Sequence, residues 1–107
     1  MIYNKCFKKI DANGTKTMLE ENDGAMLLDV RETDEYSEGH ITGSANIPVG
    51  LLPVKPEALP EDKESPIITY CLSGMRAKTA CKVLSGLGYS NIYCLGGLGA
   101  WPYGFVR

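Results

Sequence analysis

A chain of 107 residues predicts one domain, spanning 1–107, around a single hydrophobic core. Eleven basic residues stand against thirteen acidic ones, for a formal charge of −2, and no basic block appears; nucleic acid is therefore not an expected partner. The chain opens without an apolar run of signal-peptide length, and no stretch approaches the roughly 20 apolar residues of a membrane span. A cytoplasmic location away from the membrane is the expectation. Four cysteines (Cys6, Cys71, Cys81 and Cys94) fit no small disulfide scaffold, so they are read as reduced thiols. With no CxxC pair and His40 as the only histidine, neither a metal nor a cofactor is expected.

In chain order, Tyr3 to Phe7 reads as a first strand. A helix follows, capped by Asp11, with Met18 and Leu19 facing inward and Gly14 weakening it by about 1 kcal/mol. Ala25 to Val30 is apolar enough for a strand buried on both faces. Thr33 is placed as the cap of a short helix that Gly39 ends. Ser44 to Ile47 reads as a short strand. Five prolines from Pro48 to Pro66 disfavour a long helix, which suggests a surface connection with one short turn of helix. Ile67 to Tyr70 is the next strand, with Cys71 at its carboxyl end. From Arg76 to Leu87, the residues Ala77, Ala80, Cys81, Leu84 and Leu87 fall on one helical face. Gly88 ends that helix, Asn91 to Leu95 forms a last strand, and Gly96-Gly97 leads to a closing segment through Trp101. Alternating strands and helices predict an α/β fold with a mainly parallel sheet.

Cys71 is the candidate nucleophile. The segment Cys71-Leu72-Ser73-Gly74-Met75-Arg76 joins a buried strand to a helix, at the sheet edge where ligands of α/β proteins collect. Backbone N–H groups entering a helix converge on one point, and the helix dipole favours an anion there. Gly74 permits the turn, and Arg76 adds a permanent positive charge. A thiol in such a nest ionises readily and needs no adjacent base. The same nest would stabilise a persulfide anion or bind an oxyanion.

Four stretches in order resemble the rhodanese family. They are Leu28-Asp29-Val30-Arg31 with Glu35-Tyr36; Glu38-Gly39-His40-Ile41-Thr42-Gly43-Ser44-Ala45-Asn46-Ile47-Pro48; Tyr70-Cys71-Leu72-Ser73-Gly74-Met75-Arg76; and Gly96-Gly97 with Ala100-Trp101. The resemblance implies a rhodanese-like α/β fold: a five-stranded, mainly parallel sheet with helices on both faces. It implies a sulfurtransferase without a cofactor. Cys71 would take a sulfane sulfur from thiosulfate or a persulfide donor and hand it to cyanide, a thiol or a protein acceptor. Backbone N–H groups from Leu72 through Ser73, Gly74 and Met75 to Arg76 would hold the sulfur, Arg76 would steady anionic donors, and the Ser73 hydroxyl would add a hydrogen bond. Ala77 departs from the serine common in the family. Leu72 and Met75 make the loop more apolar than in efficient thiosulfate users.

Two other functions compete. A sulfur carrier or regulatory binding module would keep the cysteine but turn over free donors negligibly. Cysteine-dependent phosphatases and arsenate reductases resemble a pattern with five residues between cysteine and arginine. Here four lie between Cys71 and Arg76, and Tyr70 replaces the usual preceding histidine. Asp29 and Arg31 flank the same sheet end and are expected to be paired. They are read either as support for the Cys71 loop or as part of an ion pair with Glu38. His40 is read as a structural hydrogen-bonding residue and Cys81 as core. Cys94 would approach Cys71 if the two strands are neighbours.

Overall fold

The computed structural model describes residues 7–107. The expected strand from Tyr3 lies largely outside those residues, and the first strand described, β1, is Lys8–Lys9. Helix α1 (Ala12–Glu21) starts where Asp11 accepts a hydrogen bond from the Gly14 N–H at 2.7 Å. Strand β2 (Met26–Asp29) leads to helix α2 (Thr33–Glu38), β3 (His40–Ile41) and β4 (Ala45–Asn46). Strand β5 (Ile67–Cys71), helix α3 (Met75–Gly86), β6 (Ile92–Gly97) and β7 (Phe105–Val106) complete the order.

Five strands form one parallel sheet in the order β1-β6-β5-β2-β4, so β5 is central and buried throughout. Side chains alternate between faces along a strand. Leu28, Val30, Ile67, Cys71 and Cys94 pack with the Ala77, Ala80, Cys81 and Leu84 stripe of α3. Leu27, Ile68, Tyr70 and Leu95 pack on the opposite face with Met18 and Leu19 of α1 and with Trp101. Helices thus cover both faces, as a parallel sheet requires. Small residues on α3 let it sit low on the sheet, close enough for the Thr69 hydroxyl to donate to the Ala77 carbonyl at 3.1 Å.

Three expectations change. The cap of α2 is Glu32 rather than Thr33, because the Glu35 carboxylate reaches back to the Glu32 N–H at 2.9 Å. The proline-rich connection forms two 3₁₀ turns, Val49–Val54 and Pro56–Ala58, and it is more than surface: Leu52 and Leu59 are buried in the core beneath α3. Strand β7 pairs antiparallel with β3, an element the sequence pattern did not suggest.

Candidate functional site

Cys71 ends β5 with no exposed surface. The chain then turns over its sulfur, and the Gly74 N–H donates to Cys71 Sγ at 2.9 Å. Gly74 has φ +102°, in the left-handed region where glycine is favoured, and it caps α3 at its amino end. The loop rests on β6: the Leu98 N–H donates to the Leu72 carbonyl at 3.2 Å, and Ser73 bridges to Gly97. A Cβ on Gly97 would lie 2.8 Å from the Leu72 oxygen, so only glycine lets the loop approach this closely. Leu72 and Met75 point outward, 59% and 76% exposed.

Arg76, in the first turn of α3, meets Glu35 of α2 fork to fork: Nη1 to Oε1 is 2.6 Å and Nη2 to Oε2 is 3.0 Å. The Arg76 guanidinium, with help from the Glu32 N–H, lowers the Glu35 carboxyl to about 2. Arg76 supplies the permanent positive charge expected beside the loop, with its fork held by a carboxylate. Glu35 carries a part of the site that spacing alone did not assign. Its only sequence signal is its place in the Leu28–Tyr36 stretch.

Asp29 and Arg31 pair with each other. Arg31 Nη2 donates to Asp29 Oδ2 at 2.6 Å, its Nε reaches both carboxylate oxygens, and its N–H donates to Oδ1 at 2.9 Å. The guanidinium also donates to the Gly39 carbonyl at 2.7 Å; of the two readings of this pair, an ion pair with Glu38 is not formed, and Arg31 pairs with Asp29. Asp29 has no exposed surface and Arg31 is buried. Asn46 locks the same strand end, donating to the carbonyls of Asp29 and Arg31 at 3.0 and 2.9 Å. Arg31, Glu35, Glu38, Gly39 and Leu72 line a cavity of about 220 Å³ beside the loop. That cavity brings Arg31 to the site; Asp29 stands behind it as its anchor.

Tyr70 points to the face opposite Cys71. Its hydroxyl accepts from the Ile41 N–H at 3.1 Å and shares a hydrogen bond with Ser44 Oγ at 2.9 Å. Burial pushes its phenol up to about 12. His40 stacks on Tyr36 with ring centroids 3.6 Å apart, and its Nδ1 lies 2.8 Å from the Tyr36 carbonyl. A carbonyl only accepts, so Nδ1 carries the proton. Strand register sets Gly97 beside Cys71 and Cys94 beside Thr69, two residues back along β5. Cys94 is thus on a neighbouring strand, but Gly97 is the residue next to the Cys71 backbone.

A family model, the rhodanese-like domain, matches residues 11–102. The chain belongs to the rhodanese-like domain family. It is 38% identical over 94 residues to the putative sulfurtransferase YtwF of Bacillus subtilis, covering 88% of this chain and 89% of that one. It is 32% identical over 98 residues to the thiosulfate sulfurtransferase GlpE of Stutzerimonas stutzeri, covering 91% and 86%. Among solved structures, a rhodanese-related protein from Thermoplasma volcanium superposes with a TM-score of 0.77 at 30% identity, over 94% of this chain and 98% of that one. The reduced CoADR-RHD protein of Bacillus anthracis gives 0.80 at 30% identity; it covers 95% of this chain, which spans only 18% of that larger protein. Among the described residues of this rhodanese-like chain, no helix is long and apolar enough to cross a membrane.

Proposed function

We propose that this protein is a sulfurtransferase that carries sulfur as a persulfide on Cys71. The Cys71 thiolate attacks the sulfane sulfur of thiosulfate or of a persulfide donor. The donor's S–S bond breaks, and sulfite or a thiolate leaves with the electron pair. A nucleophilic acceptor, cyanide or a thiol, then attacks the outer sulfur, takes it as thiocyanate or a new persulfide, and restores the Cys71 thiolate. One observation carries this reading: the Gly74 N–H is 2.9 Å from Cys71 Sγ at the mouth of α3. A helix N-terminus favours the negative charge of a terminal persulfide sulfur. The four-residue span between Cys71 and Arg76 suits a single sulfur better than a tetrahedral phosphate, which argues against phosphatase or arsenate reductase chemistry. The relatives named as sulfurtransferases support the same reading. Thiocyanate formation from thiosulfate and cyanide tests it: the native protein should turn over and Cys71→Ser should not. Equal rates would end the proposal.

A second reading is favoured by a different observation. Leu72 and Met75 flank the loop as exposed apolar side chains, and the Arg76 fork is already paired with Glu35. A loop built this way suits a protein partner that loads or unloads Cys71 better than a small free dianion. In a carrier, protein isolated from cells holds one extra sulfur on Cys71 while thiosulfate turnover is negligible. Rapid thiosulfate turnover with no retained sulfur excludes it.

A further inference from the structure

Cys94 has features that the Cys71 chemistry does not use. It sits on β6 opposite Thr69 of β5, facing the buried stripe of α3 where Cys81 lies. Thr69 Oγ1 lies 3.2 Å from Cys81 Sγ, so the hydroxyl sits between the two strands and the Cys81 thiol. Cys81 also donates toward the Tyr93 carbonyl at 3.7 Å, which anchors it beside β6. Cys94 is 5% exposed, and that small surface opens into a cavity of about 240 Å³. Lys9 and Lys78 line the cavity with Ser73 and Gly74, on the β1 side of the Cys71 loop. The cavity thus brings together a thiol and two cations, with a second cysteine on the helix stripe that the thiol faces.

We propose that Cys94 is a second reactive thiol of this protein, modified in this cavity by small anionic disulfides and polythionates, with Cys81 as the nearby thiol of the helix stripe it faces. Cys81 is the strongest influence holding the Cys94 thiol below its ordinary range; desolvation opposes it, and Thr69, the Gly96 backbone and Lys78 reinforce it. Thiolate is the attacking species in thiol–disulfide exchange, so this setting favours reaction. With tetrathionate, the Cys94 thiolate attacks an inner sulfur. A new S–S bond forms at Cys94, one thiosulfate leaves with the electron pair of the broken bond, and the thiol proton goes to solvent. Attack by Cys81 on the Cys94 sulfur would then release the second thiosulfate and leave a Cys81–Cys94 disulfide. Either product reports attack at Cys94. The two lysines recommend a dianion over a neutral reagent, through attraction that salt screens. This inference does not rest on sulfur loading at Cys71, although Ser73 and Gly74 belong to both the cavity and the Cys71 loop.

The experiment treats native protein with tetrathionate at low salt, then maps each cysteine peptide by mass. Cys94 should carry the thiosulfate adduct or be joined to Cys81, and Lys78→Gln should slow that reaction severalfold, with added chloride narrowing the gap. Cys94→Ser should remove the product while Cys71 still reacts. Reaction of Cys94 only after unfolding in urea, or an unchanged rate in Lys78→Gln, overturns the proposal.

Discussion

Arg76 and Glu35, 41 residues apart in sequence, form a two-bonded ion pair that ties the first turn of α3 to α2 across the mouth of the Cys71 loop. An arginine fork and a carboxylate match in plane and spacing, so the pair fixes orientation as well as charge. Any anion seeking the Arg76 guanidinium has to compete with Glu35. Arg31, held by Asp29 and the Gly39 carbonyl at the wall of the adjoining cavity, is similarly engaged. The site therefore presents the Gly74 N–H to the sulfur and pairs each of its two arginines with a carboxylate.

The Glu35–Arg76 pair should make stability depend on acid. Glu35 is lowered from 4.5 to about 2 on folding, chiefly by Arg76. A depressed carboxyl contributes its stability fully above the unfolded value and loses it as pH falls through the folded value. The pair is about one-third exposed, and solvent screening keeps the contribution to about 1 kcal/mol or less. Glu35→Gln should lower the urea midpoint at pH 7, and its gap to the native protein should shrink steadily from pH 5 towards pH 3. A gap that widens in acid would contradict this account.

Gly97 is the bed on which the loop lies. Gly97→Ala sets a methyl group 2.8 Å from the Leu72 oxygen, and backbone on both sides limits relief. The change should destabilise by about 1–3 kcal/mol. It should also lower sulfur transfer at least about tenfold, the effect expected when a reacting group is displaced by a fraction of an ångström to one ångström. Rates and unfolding midpoints of the variant measure both. Native transfer rates in Gly97→Ala would show that loop placement does not matter.

Tyr70 separates stability from activity. Tyr70→Phe removes the acceptor of the buried Ile41 N–H and the partner of Ser44. An unsatisfied buried donor costs about 1–3 kcal/mol. Because the hydroxyl points away from Cys71, the transfer rate of the folded variant should stay within about twofold of native, or less than about 0.5 kcal/mol in barrier. Denaturation and initial-rate measurements on one preparation check the two halves.

Removing Asp29 should be the most damaging of these changes. Asp29→Ala leaves the buried Arg31 guanidinium without its carboxylate, held by the Gly39 carbonyl and the face of the Tyr70 ring. Breaking a buried ion pair from one side costs about 3–5 kcal/mol. Chemical denaturation should show a loss in that range, well above the loss in Glu35→Gln. Equal losses in the two variants would mean that burial does not set the difference.

The parts of the fold legible in the sequence are those governed by local periodicity. The apolar run Ile67–Tyr70, the Cys71–Arg76 loop and the Ala77–Leu84 stripe follow one another without interruption, so strand, turn and helix could be placed within a residue or two. Long-range pairings left little local trace. Strands β3 and β7 are two residues each, too short for an alternation pattern, and they meet across more than 60 residues of chain. The α2 cap shifted by one residue because Glu35 reaches back to Glu32, which composition at Thr33 did not signal. Prolines correctly ruled out a long helix between Pro48 and Pro66, but they do not prevent single side chains such as Leu52 from reaching the core. At the site, Cys71 and Gly74 followed from the loop. The partners of Arg76 and Arg31 did not, since opposite charges find each other through the fold.

The central claim is that Cys71 carries the transferred sulfur. Its most direct test is intact-mass analysis and peptide mapping of purified protein after incubation with thiosulfate or a small persulfide, before and after cyanide. The expected result is one extra sulfur on Cys71 that cyanide removes as thiocyanate, with no such sulfur and no thiocyanate from Cys71→Ser. Sulfur carried on another cysteine, with thiocyanate formed by Cys71→Ser at the native rate, would contradict it.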